Sequence, residues 1–81
     1  MQRYGNISGK SGIVAYEIGD DFVAARFNSG VTYRYTKKSV GTRHLAELKR
    51  LATRGEGLAT YISQHPEVRD GYERKDPPDP D

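Results

Sequence analysis

The chain contains no cysteine. That excludes a disulfide framework and any thiolate-ligated zinc site, and it fits a reducing compartment. Long apolar runs are missing too. Met1-Gln2-Arg3-Tyr4-Gly5 holds no apolar signal core, and no stretch approaches the roughly 18 apolar residues of a membrane span. A cytoplasmic protein with no membrane partner is expected. Catalytic signatures are equally scarce. There is no Ser-x-x-Lys and no Gly-x-Ser-x-Gly, and Gly55-Glu56-Gly57 lacks the preceding strand that a nucleotide loop needs. Histidine is limited to His44 and His65, with no ligand spacing to an Asp or to each other. His65 suits a helix C-terminus, where the helix dipole favours it. Asp20-Asp21 follows Gly19 and reads as turn chemistry rather than paired catalytic carboxylates. No catalytic residue, metal or cofactor is expected, and the protein is read as a non-enzyme.

Eighty-one residues suffice for one domain with a small core, marginal as a monomer. The net charge is only +2, but it is segregated. Residues 1–36 are nearly balanced. Residues 37–54 carry Lys37, Lys38, Arg43, Lys49, Arg50 and Arg54 against Glu47 alone. Residues 55–81 carry three bases and seven acids. The basic stretch has two readings, a solvated helix face or an anion-binding face.

Apolar alternation sets the architecture. Ile13–Ile18 and Phe22–Phe27 are rich in β-branched, aromatic and small residues and read as strands around the Gly19-Asp20-Asp21 turn. Asn28-Ser29-Gly30 suits a three-residue hairpin loop with Gly at the left-handed position, leading into a third strand from Val31 to Tyr35 or Thr36. This loop length pairs Phe27 with Val31, Ala25 with Tyr33 and Val23 with Tyr35. The inner face then carries Val14, Tyr16, Ile18, Val23, Ala25, Phe27, Val31, Tyr33 and Tyr35. The outer face carries Ile13, Ala15, Glu17, Phe22, Ala24, Arg26, Thr32 and Arg34, a mixture of apolar surface and arginine. Tyr33 and Tyr35 are therefore read as core aromatics, while Arg34 points away and meets an anion more readily.

Ser39 is the expected N-cap of a helix running to about Thr53, with Val40, Leu45, Leu48, Leu51 and Ala52 as its apolar stripe. Gly55 stops it. A second helix is expected over Gly57–Gln64, presenting Leu58, Tyr61 and Ile62, and ending at Pro66. A meander cannot bury its apolar face alone, so both helices should cover it. The fold class predicted is α+β: a three-stranded antiparallel meander followed by two helices on one face. Residues 1–12 are expected to be a flexible lead-in, 13–69 the single domain, and 70–81 a disordered acidic, proline-rich tail.

The ordered set Val14-Ala15-Tyr16, Val23, Ala25, Phe27, Gly30, Tyr33-Arg34-Tyr35, Thr53-x-Gly55, Leu58 and Ile62 resembles the KTSC domain, named for the C-terminus of some lysyl-tRNA synthetases. The resemblance covers about residues 13–65. Lys37-Lys38-Ser39-Val40 stands where that family often has Val-Pro, and Ala59 where it has Asn. The resemblance implies a small bacterial or phage domain, with RNA binding suggested by the synthetase context.

Two functional classes follow. One is an anion-binding module with RNA or another nucleic acid as leading ligand, its phosphates contacted by Lys37, Lys38, Arg43, Lys49, Arg50 and Arg54, with Arg26 and Arg34 as a second site. A phage-type protein holding a small nucleotide is a variant of it. The other is a protein-interaction or homodimer module using the apolar outer face.

Overall fold

A computed structural model of the protein describes residues 1–7, 9 and 11–78. The elements are β1 (Gln2–Arg3), β2 (Ile13–Ile18), β3 (Phe22–Phe27), β4 (Thr32–Thr36), α1 (Lys37–Val40), α2 (Thr42–Arg54), α3 (Leu58–Gln64), α4 (Pro66–Arg69) and β5 (Arg74–Asp76). The five strands form one antiparallel sheet whose order follows the chain. The fold is α+β as expected, but with five strands and four helices among the described residues rather than three and two.

The central hairpin has the register read from its loop. Val23 pairs with Tyr35 and Ala25 with Tyr33, while the Phe27 N–H donates to the Val31 carbonyl at 2.9 Å. Gly30, at φ +91°, occupies the left-handed position. The register between β2 and β3 shifts between Ile13 and Ala15. Ile13 consequently lies opposite Phe27 and is fully buried, whereas Val14 is 43 % exposed. Strict alternation had placed these two on the opposite faces. The extra residue of the bulge reverses the parity.

The supposed lead-in is part of the domain. Gln2 and Arg3 pair with Tyr16 and Ala15, the Tyr4 N–H donates to the Val14 carbonyl at 3.0 Å, and the Tyr4 ring is buried in the core. A two-residue polar edge strand has no alternation to read, yet one large buried ring is enough to anchor it. The tail is likewise ordered as far as β5. Thr32 pairs with Asp76, Tyr33 with Lys75 and Arg34 with Arg74, and the Glu73 N–H donates to the Arg34 carbonyl at 2.7 Å. Pairing satisfies backbone groups of β4 that would otherwise form an open edge, and the charges of β5 suit an outermost strand. Residues 79–81 of the expected tail lie outside the described residues.

The first helical stretch begins earlier than Ser39 and is interrupted. Thr36 caps α1: its hydroxyl accepts from the Ser39 N–H at 3.0 Å, and Ser39 Oγ accepts from the Thr36 N–H at 3.0 Å. Ser39 is thus the third helical residue of a capping box rather than the cap. Gly41, at φ +92° and ψ 160°, separates α1 from α2 in a conformation essentially confined to glycine. Gly55 ends α2 in the left-handed conformation, its N–H donating to the Leu51 carbonyl at 3.0 Å. Pro66 ends α3 and also opens α4 as its first residue, where a missing N–H costs nothing.

Leu45, Leu48, Leu51 and Ala52 of α2, Leu58 and Ile62 of α3 and Val68 of α4 share one core with Tyr4, Ile13, Val23, Ala25 and Tyr35. Full burial of a leucine such as Leu48 or Leu58 stabilises by about 1.5–3 kcal/mol. These helices cover one face of the sheet, and the arginine-bearing face lies opposite.

Candidate nucleic-acid interface

Alternation along β4 sends Tyr33 and Tyr35 to the helix side and Thr32, Arg34 and Thr36 to the outer side. Register then builds two outer rows across the strands. One runs Arg3, Ala15, Arg26, Thr32, Asp76, and the next Glu17, Ala24, Arg34, Arg74. They border an outer groove of about 610 Å³ lined in part by Arg26, Arg34 and Arg74. Its floor is tight: Ala24 is 1 % exposed and Thr32 9 %.

The arginines are held unequally. Arg26 Nε donates to Thr32 Oγ1 at 3.5 Å, and Arg74 Nε lies 3.0 Å from Asp76 Oδ1. Arg34 has its guanidinium carbon 4.2 Å from the Phe22 ring centroid, while its Nε is buried with no hydrogen-bond partner among the described residues. Arg34 and Arg74 are also direct cross-strand partners, a like-charge juxtaposition that lowers stability. Three arginine side chains against the one Asp76 carboxylate leave the groove basic, an arrangement that suits a phosphate.

The basic stretch is dispersed by comparison. Lys37, Lys38, Arg43, Arg50 and Arg54 are exposed. Arg43, Arg50 and Arg54 fall at i, i+7 and i+11, on one side of α2. Arg50, however, makes two 2.8 Å hydrogen bonds to Glu47, and Arg54 lies 3.4 Å from Glu56. Arg50 holds the Glu47 carboxyl below the usual carboxylate range. Lys49 turns toward the β2–β3 turn and donates to the Asp20 carbonyl at 2.7 Å. Arg34 does not join this group: it lies on the far face of the sheet. The seven residues singled out in the sequence therefore do not form one surface.

The apolar outer surface is smaller than the alternation suggested. Ile13 is in the core, Ala24 is covered, and Phe22 lies under the Arg34 guanidinium.

On the helix side a cleft of about 530 Å³ opens between the β3–β4 turn, α3 and the approach to β5. Tyr33 stands edge-on to Phe27, at 5.4 Å between centroids, and to Tyr72, at 5.0 Å. Tyr35, also lining it, is 2 % exposed. Burial pushes its phenol well above the ordinary tyrosine range, with Tyr33 and Tyr72 adding to the shift, so it stays a neutral hydroxyl.

A third constellation had no signal in the sequence because its members come from three helices. His44 Nδ1 lies 2.6 Å from Tyr61 Oη, and His44 Nε2 lies 3.4 Å from Glu67 Oε1. His65 stacks on Tyr61 with centroids 4.0 Å apart, its Nδ1 at 2.7 Å from the Tyr61 carbonyl. Burial, together with Glu47 and Glu67 and against Arg43, pushes the Tyr61 phenol up. That opposes phenolate formation, and the contacts tie α2, α3 and α4 to one another. No set of three His, Asp or Glu residues suited to a metal ion occurs among the described residues. Among those residues no helix is long and apolar enough to cross a membrane.

No family model, curated protein or solved structure significantly matches the chain.

Proposed function

We propose that the protein is a non-enzymatic, KTSC-like module that binds phosphate-bearing ligands, RNA foremost, and that the phosphates lie on the outer sheet face around Arg34. One observation carries this reading: Arg26, Arg34 and Arg74 line one outer groove, with Arg34 and Arg74 directly opposite each other across the strands. Removing a buried donor from water without a partner costs about 1–3 kcal/mol. At the buried Arg34 Nε that cost falls on the fold itself, while the like-charge pair on the open groove suits a face completed by an anion. The dispersed charges of α2 contribute a weaker, longer-range attraction.

The test is fluorescence anisotropy with a labelled single-stranded RNA at about 50 and 200 mM salt, a range over which phosphate contacts weaken strongly. Affinity should fall with salt, with a slope of about −0.7 per phosphate neutralised. Arg34→Gln should reduce affinity and flatten the slope, whereas R43E/K49E/R50E should act less strongly. Full loss in the helix variant with unchanged binding by Arg34→Gln would move the interface to α2. Absence of binding at low salt would end the reading.

A further inference from the structure

We propose that the aromatic cleft receives one unpaired nucleobase of the same strand whose phosphates lie on the outer-face arginines. This rests on the phosphate-binding reading above and extends it from the backbone of the ligand to its bases.

The two concavities share a border. Asn28 and Ser29 of the β3–β4 turn line the cleft, and Gly30 lines the groove. At the other end, Tyr72 lines the cleft and Arg74, two residues later, lines the groove. The three-residue edge strand β5 and the hairpin tip, with Pro78 against Gly30, lie between them. A flexible single strand can cross this edge, with phosphates on one side and a base turned to the other. A duplex cannot, because its bases are stacked and paired.

The chemistry of the cleft matches a flat heteroaromatic ring. Its walls are the Tyr33 and Tyr72 rings, set at an interplanar angle of 70°, with Phe27 behind. Tyr72 is 37 % exposed, so its ring is available to a partner. The Asn28 amide and the Ser63 hydroxyl offer donors and acceptors to a base edge. Lys75 Nζ, 5.6 Å from the Tyr33 centroid, and Arg69 at the rim place cations beside the ring, where a flanking phosphate would sit. The cleft volume, about 530 Å³, lies within the usual range of small-ligand sites, about 300–1,000 Å³. Aromatic clefts also receive proline-rich peptides. Here, however, Pro77 and Pro78 line the outer groove instead.

The experiment uses the full chain and three labelled RNA probes: a single-stranded octamer, the same octamer with abasic sites throughout, and the corresponding duplex. The wild type should bind the intact single strand about tenfold more tightly than the abasic one, the scale of one stacked base. Tyr72→Ala, at an exposed position that a thermal melt can certify as folded, should remove this preference while leaving the salt slope unchanged. Arg34→Gln should weaken intact and abasic strands alike. Equal binding of intact and abasic strands by the wild type, with Arg34→Gln still weakening both, would overturn the base site and leave the phosphate face standing. No binding of any probe at low salt would overturn both. Ring signals of Tyr33 and Tyr72 that respond to deletion of residues 77–81 but not to RNA would assign the cleft to the chain's own proline segment and overturn the proposal.

Discussion

The Tyr4 hydroxyl accepts a hydrogen bond from the backbone N–H of Leu58 at 3.2 Å. Leu58 opens α3, and the Gly57 before it has no side chain to cap that helix. A tyrosine near the start of the chain therefore performs, from across the fold, the task usually given to a neighbouring Ser or Asp. Tyr4→Phe should destabilise by about 1–2 kcal/mol, because Leu58 N–H is left buried without a partner. Tyr4→Ala should cost about 3–5 kcal/mol, as large core truncations do. Urea unfolding of both variants checks this. A Phe variant with wild-type stability would show that the bond contributes nothing.

Gly55 is constrained in two ways. Its φ is +80°, and a Cβ there would meet Gly5 Cα at 3.1 Å. Gly55→Ala should cost about 1–2 kcal/mol from the backbone conformation alone, plus the displacement of the Gly5 segment. Gly55→Asn tolerates the left-handed conformation better but keeps the contact. Its loss, read from thermal melts beside that of the Ala variant, isolates the contribution of the close approach. Two wild-type melting curves would refute both constraints.

Tyr35 makes stability fall in alkali. Unfolded, its phenol ionises near pH 10; folded, burial holds it higher. The unfolded state then loses its proton first, so stability intact below about pH 10 declines as the pH rises past it. Tyr35→Phe, lacking the group, should show a flatter melting-temperature profile between about pH 9 and 11. Parallel profiles for the two proteins would count against this.

Arg34 should separate binding from folding. Replacing it by Thr removes the opposition to Arg74 and the unpartnered Nε, and also loses the stacking on Phe22. The relieved like-charge pair is worth about 0.2–1 kcal/mol and the relieved Nε about 1–3 kcal/mol, against about 0.5–1 kcal/mol of lost stacking, so the variant should be at least as stable as the wild type. RNA affinity should nevertheless fall at least tenfold. A variant that binds normally, or one that unfolds, would contradict this separation.

The hairpin was legible because a three-residue loop and clean alternation leave one register for Val23, Ala25, Tyr33 and Tyr35. The stop at Gly55 and the burial of Leu45, Leu48, Leu58 and Ile62 were legible for similar reasons. Ile13 and Val14 were not, since two adjacent apolar residues give no parity and a bulge chose between them. The short outer strands were hidden by their composition: Gln2–Arg3 and Arg74–Asp76 carry no apolar period. The candidate site suffered from the same blindness. Arg26 and Arg34 could be placed on one face from the hairpin alone, but Arg74 joins them only through a pairing that the charged segment did not announce. Helical spacing, conversely, could not reveal that Glu47, Glu56 and the Asp20 carbonyl occupy Arg50, Arg54 and Lys49.

Every strand of the sheet lies beside its neighbour in the chain, yet the connections differ greatly in span. The β2–β3 and β3–β4 hairpins close over a few residues, whereas β5 reaches β4 only after residues 37–73, which hold α1 to α4. Closure entropy grows with that separation, so the central hairpins can form early while β5 must await a collapsed helical layer. Arg74 and Tyr72 arrive with this late strand. Opening of the β5 edge alone would therefore dismantle the arginine groove and the aromatic cleft together while leaving the β2–β4 core folded, and amide exchange at Glu73, whose N–H bonds the Arg34 carbonyl, would time that opening.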